Sequence, residues 1–110
     1  MWSGNVWATN KLGLLGPVCD DNFNNGPDAD WGSTADNNNA ANVVCWQLGY
    51  NRGQALKYGQ GSRHFGRITP DTFSMDDVKC TGRERCLSDC PHATQDDCTP
   101  NEGAGVICYL

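Results

Sequence analysis

Seven cysteines in 110 residues constrain this chain more than any other feature, because its apolar content is too small to hold a fold without covalent help. Leu, Ile, Val and Phe together make up 18 of the 110 residues, about 16%. A fraction below ~20% with high net charge ordinarily signals disorder. Four Trp and three Tyr supply large buriable surfaces. Crosslinks also remove entropy from the unfolded chain, so a small core can suffice. Disulfides at this density imply an oxidising compartment, hence a secreted or cell-surface protein. The length suits one domain over residues 1–110. No apolar run is long enough for a membrane-spanning helix or a signal-peptide core, so any export signal is expected to have been removed or never to have been part of this sequence. No Asn-x-Ser/Thr acceptor is present.

The net charge of −5 conceals a segregation. Between Asn37 and Pro70 there is no Asp or Glu, whereas Arg52, Lys57, Arg63, His64 and Arg67 all fall there. The thirteen acids lie on either side, five in 20–36 and eight in 71–102. Such a chain can offer a basic face to polyanions and an acidic pocket to a cation. A solvated surface with charges scattered by chance is the plain alternative.

The strongest helix signal runs from Asp36 to Leu48. Ala40, Ala41, Val44, Cys45 and Leu48 recur at three- and four-residue steps, Asp36 and the Asn run offer N-caps, and Gly49 stands at the C-cap position. A second, short helix is expected over 82–90, stopped by Pro91. Strand-like stretches are Asn5 to Ala8, Pro17 to Cys19, Ile68 to Met75 and Gly105 to Tyr109. Asn22 to Ala35 and the glycine-rich, basic stretch Gly49 to Gly66 read as exposed loops.

The cysteine contexts "GPVCDDNF", "ANVVCWQLGYNRGQAL", "FSMDDVKCTGRERCLSDC", "DDC" and "NEGAGVIC" resemble, in order, the successive motifs of a scavenger receptor cysteine-rich domain. Tyr50 stands where the eight-cysteine subgroup has a cysteine, so the resemblance is to the six-cysteine subgroup of class A scavenger receptors. Three departures stand out: an insertion at about 24–35, a shortened and rewritten N-terminal strand, and Cys86, which has no counterpart. Counting alone leaves roughly a hundred ways to pair six of seven cysteines. The resemblance implies Cys19 with Cys98, Cys45 with Cys108 and Cys80 with Cys90, with Cys86 left over and available for linkage to a second chain. In the loop-entropy model the first two bridges contribute on the order of 4 kcal/mol each, the third nearer 3, as upper limits. The implied fold is α+β, a compact curved antiparallel sheet cradling the helix at 36–48.

That pairing would draw Asp20 and Asp21 toward Glu102. Three carboxylates together repel unless a cation sits among them, and oxygen ligands from loops suit Ca²⁺ or Mg²⁺ better than Zn²⁺. The family carry-over puts a cation at the same residues, and a second site at Asp76 and Asp77 with Asn101; Gly103 replaces a usual Asp. These acids are equally able to cap turns and helix ends. Asp28, Asp30 and Asp36 do not make an EF-hand, since Gly32 takes a ligand position and no Glu closes the loop. Cys86, Cys90, His92 and Cys98 have the residue types of a zinc site, but using them would strand Cys19 and Cys80 as free thiols. Cys86 with His64 or His92 would be a thiolate and base lacking an orienting group or oxyanion element. The sequence therefore reads as a binding module and not an enzyme.

The resemblance implies an extracellular pattern-recognition domain for polyanionic or microbial surface ligands, with Arg52, Lys57, Arg63 and Arg67 as the anion contacts and cations supporting the acidic loops. The alternative is a protein-interaction or structural module of a larger secreted or surface protein.

Overall fold

Helix α1 covers Asn39–Gln47 and buries Ala40, Ala41, Val43, Val44 and Cys45 along one side; of the positions marked by the three- and four-residue recurrence, Leu48 falls at the C-cap and is exposed. In this computed structural model, residues 1–20, 23, 38–56, 65–66, 73–95, 98–99 and 101–110 are described. The expected start at Asp36 lies outside them. The helix ends as expected: Gly49 takes a left-handed φ of 90°. Its N–H donates to Trp46 O and that of Tyr50 to Cys45 O, the paired bonds of a Schellman turn.

The asparagines at the other end do a different job. Asn38 makes no side-chain cap. Instead its Oδ1 accepts from Ala55 N–H at 2.9 Å, and Asn42 Oδ1, one turn on, accepts from Gly53 N–H at 2.7 Å. These donors belong to a strand over Arg52–Ala55, so the helix saturates an edge that would otherwise stand open. The Gly49–Gly66 stretch, expected to be loop throughout, thus begins with a strand. "RGQA" has no β-branched or aromatic residue to announce it. The strand forms because Gly53 lets the sheet approach the helix: a Cβ there would lie 2.7 Å from Ala41 O and against Cys45 Sγ.

In chain order the strands are β1 (Trp2–Asn5), β2 (Trp7–Thr9), β3 (Leu15–Pro17), β4 (Arg52–Ala55) and β5 (Gly105–Tyr109). They form an antiparallel sheet in the order β1-β5-β4 and a separate β2-β3 hairpin. The expected strand at Asn5 to Ala8 is split at Val6, which is buried and turns inward, its N–H donating to Ala104 O and its carbonyl accepting from Val18 N–H. The expected strand at Pro17 to Cys19 instead ends its regular pairing at Pro17, after which Val18 and Cys19 make single bridges to Met75 and Gly103. Of the expected strand at Ile68 to Met75, 68–72 lie outside the described residues. The helix expected over 82–90 is reduced to a 3₁₀ turn at Leu87–Asp89. Gly82 takes a φ of 91°, and the Cys80–Cys90 bridge holds its two Cα atoms 4.8 Å apart, whereas a continuous α-helix over 82–90 would extend about 12 Å at 1.5 Å per residue.

The main core packs α1 against Val6, Val18, Phe23, Met75, Val78, Leu87 and Val106, with Cys45 and Cys108 inside it. A separate small cluster joins Cys19 and Phe73 to Cys98. The bridges are Cys19–Cys98, Cys45–Cys108 and Cys80–Cys90, the pairs the resemblance implies, and Cys86 is free. No helix among the described residues is long and apolar enough to cross a membrane.

Candidate ligand and cation site

Three chain segments meet at one end of the molecule. A parallel bridge joins Val18 to Met75, and an antiparallel bridge joins Cys19 to Gly103. Backbone bonds continue the contact, from Cys19 N–H to Met75 O at 2.9 Å and from Asp20 N–H to Glu102 O at 2.8 Å. Asp20 and Glu102 are thereby brought side by side, and Asp76 and Asp77 follow Met75 at the same end. The Cys19–Cys98 bridge fastens the arrangement.

The four acids differ in setting. Asp20 and Asp76 are buried, Glu102 is half-buried and Asp77 exposed. Asp76 exchanges both backbone bonds with Ala93, and its Oδ1 accepts from the Asp77 N–H at 2.8 Å. Asp77 takes a left-handed φ of 52°, which Asp tolerates better than most residues. Glu102 closes a turn on Thr99, accepting from the Thr99 hydroxyl at 3.2 Å through Oε1. Asn101 is exposed in that turn, and Asp21 lies outside the described residues. Among the described residues, the tight groups of ligand-type atoms are Cys19–Cys98–Glu102 and Cys80–Glu84–Cys90. Each contains a disulfide, whose sulfurs are not thiolate ligands. Among the described residues, then, no carboxylate trio is closed.

Of the expected anion contacts, Arg52 is described. It is exposed on β4, at the edge of the sheet, with its guanidinium carbon 4.5 Å from the centroid of the Tyr109 ring. A guanidinium held over an aromatic ring still has N–H donors to offer an oxyanion. Lys57, Arg63, His64 and Arg67 lie outside the described residues. Arg83 and Arg85, which the sequence reading left out, are exposed on the loop closed by Cys80–Cys90; their cationic side chains inside a short crosslinked loop were the available signal. Between them Glu84 is held below the ordinary carboxylate pKa. Burial pulls it upward, but hydrogen bonds from Thr81, its own backbone and Gly82 outweigh that pull.

The zinc arrangement is excluded by the bridges, since Cys90 and Cys98 are oxidised to Cys80 and Cys19. His92 is also committed. Its Nδ1 lies 2.7 Å from Cys90 O and its Nε2 accepts from Lys11 N–H at 3.2 Å, so one ring nitrogen carries the proton and the other is engaged. Cys86, half-buried, sits 3.3 Å from the Ser88 hydroxyl.

A groove that the sequence reading did not anticipate opens on another part of the surface, with a volume of about 450 Å³. The N-terminal strands, β3, the end of α1 and the 3₁₀ turn line it, Trp2 and Trp7 among them. The signal in the sequence was two tryptophans within the first seven residues of a chain poor in apolar side chains.

The described residues thus form a small α+β domain locked by three disulfides, with charged side chains on its loops and an open groove. The scavenger receptor cysteine-rich domain profile matches residues 3–109, and the chain belongs to that family. It is 42% identical over 85 residues to macrophage receptor MARCO of Mus musculus, covering 72% of this chain and 15% of the receptor. It is 39% identical over 87 residues to lysyl oxidase homolog 3A of Danio rerio, covering 74% of this chain and 11% of that protein. The crystal structure of the dimeric form of the mouse MARCO domain superposes with a TM-score of 0.69 at 30% identity, covering 98% of this chain and 87% of the other. The chain thus spans a small fraction of the curated relatives it matches. The family is a non-enzymatic module that occurs in extracellular regions of secreted and surface proteins.

Proposed function

We propose that this domain is an extracellular recognition module for polyanionic or microbial surface ligands, binding them through Arg52, Lys57, Arg63 and Arg67 in an innate-immune role. The observation that carries the reading is Arg52: an exposed arginine within the acid-free segment, its guanidinium held over the Tyr109 ring. Arg in this state suits bidentate contact with sulfate, phosphate or carboxylate, and Lys57 would add a point charge. The likeness to a macrophage receptor agrees with it.

The acidic end supports a second element of the reading. Asp20 and Glu102 lie on hydrogen-bonded neighbouring segments and offer oxygen donors only, which fits a hard cation such as Ca²⁺ or Mg²⁺. Asp21 would complete that site, and Asp76, Asp77 and Asn101 a weaker second one. The bound cation would neutralise the acidic loops and offer open coordination positions to an anionic ligand.

Dextran sulfate and lipopolysaccharide binding, measured across a salt series, tests the first element. Binding should weaken steeply with ionic strength, because exposed charges are screened beyond ~8 Å at physiological salt. Arg63→Glu with Arg67→Glu should remove most of the affinity and leave the melting temperature unchanged. Full binding by that folded variant would overturn the basic-face reading.

A further inference from the structure

The geometry points to a second recognition site, for uncharged carbohydrate, in the groove between the N-terminal strands and the end of α1. Its described lining carries no Asp, Glu, Lys, Arg or His. A charged ligand seated there would lose water with no countercharge to replace it. The groove is not uniformly apolar either, since Asn5, Thr9, Gln47 and Ser88 alternate with Trp2, Trp7 and aliphatic residues. Indole faces interleaved with neutral amides and hydroxyls match a sugar ring, which has a flat C–H face and a rim of hydroxyl groups.

Three details show that the groove is built and not accidental. The Trp2 indole lies on Gly4, where a Cβ would come within 3.0 Å of its ring, so glycine at that position lets the ring lie against the strand. Trp7 stands opposite Pro17 in the β2-β3 register and is 47% exposed. The amides are also oriented. Gln47 Oε1 accepts from Leu87 N–H at 2.8 Å, which leaves its Nε2 as a donor. Asn5 Nδ2 is committed to the carbonyls of Phe65 and Gly66, and its Oδ1 is a buried acceptor with no hydrogen-bond partner. A hydrocarbon ligand would cover the Gln47 donor without satisfying it, at the cost that attends any buried polar group. The site uses none of the residues assigned to polyanion or cation binding.

The test is an array of neutral hexose and N-acetylhexosamine oligosaccharides, with hits titrated by tryptophan fluorescence on the intact domain. Binding to at least one neutral oligosaccharide is expected, unaffected by chelator and by molar salt, in contrast to dextran sulfate. Trp7→Ala should weaken it about tenfold or more, and Gln47→Glu, which keeps the acceptor for Leu87 but loses the donor, by a smaller factor. The Arg63→Glu, Arg67→Glu variant should bind the neutral glycan normally, which separates this site from the polyanion face. No neutral hit, or a hit indifferent to both groove substitutions, overturns the proposal. So does a concentration-dependent dimer abolished by Trp7→Ala, which would make the groove a contact between copies.

Discussion

The Cys45–Cys108 and Cys19–Cys98 bridges are the same chemical device set in two different surroundings. The first ties α1 to β5 with both cysteines fully buried, inside the main core. The second belongs to a small cluster with Phe73, and the chain beyond it carries the acidic residues. One bridge therefore sits where packing holds the fold, and the other where like charges gather and packing is thin. The lesson is that a crosslink serves stability in the first place and the geometry of a candidate site in the second.

Breaking the first bridge should have the largest effect. Cys45→Ala with Cys108→Ala removes closure of a long loop and leaves a void in the core, for a loss of about 4 kcal/mol or more in denaturant unfolding. Cys19→Ala with Cys98→Ala loses a comparable chain-entropy contribution and less packing. Its distinguishing mark should be a lost response to Ca²⁺; a retained response would dissolve the contrast between the two bridges. Gly53→Ala comes next, at about 3 kcal/mol, because the added methyl meets Ala41 O and the core disulfide, neither of which can step aside. Thermal unfolding reads this directly, and a melting temperature equal to the parent's would mean that the helix and β4 are not so closely packed.

At the acidic end, Ca²⁺ should raise the melting temperature by mass action, equivalent to about 2.7 kcal/mol at a hundredfold excess over Kd. Chelator should reverse the rise. Asp21→Asn with Glu102→Gln should abolish it, and a persisting shift would move the cation toward Asp76 and Asp77. Cys86→Ser should cost less than about 1 kcal/mol, since the thiol is half-buried and outside any bridge. Alkylation and peptide mapping of the unreduced protein check its free state.

The smallest effect belongs to Glu84, whose folded-state pKa is depressed. A depressed carboxylate contributes stability above its unfolded pKa of about 4.3 and loses that contribution as pH falls through the folded value. Glu84→Gln should therefore be slightly less stable than the parent at neutral pH, and the two should converge in acid. A gap that stays constant down to low pH would show that the carboxylate charge plays no part.

Much of this was legible before any coordinates. The cysteine contexts carried the family resemblance, and that resemblance implied the bridges and the α+β class, which counting cysteines alone left open. The body of α1 and its glycine stop followed from local periodicity and the left-handed turn, and β5 from a short apolar run. The acid-free segment was equally plain as a one-dimensional pattern of charge.

Tertiary structure decided the rest, for reasons that no local rule contains. β4 exists because Gly53 admits the helix and because Asn38 and Asn42 reach across to saturate its edge. The segment after Cys80 does not become a helix because the bridge to Cys90 brings its two ends within 4.8 Å, too close for a continuous helix between them. Asp20, Asp76 and Glu102, far apart in sequence, share one end because single bridges at Val18 and Cys19 bind three distant segments. Trp2 and Trp7 frame a groove only once β1 has paired with β5 and β2 with β3. Sequence fixes what is short-range or covalent; which side chains complete one another's hydrogen bonds, and which apolar faces stay uncovered, is settled only when the segments meet.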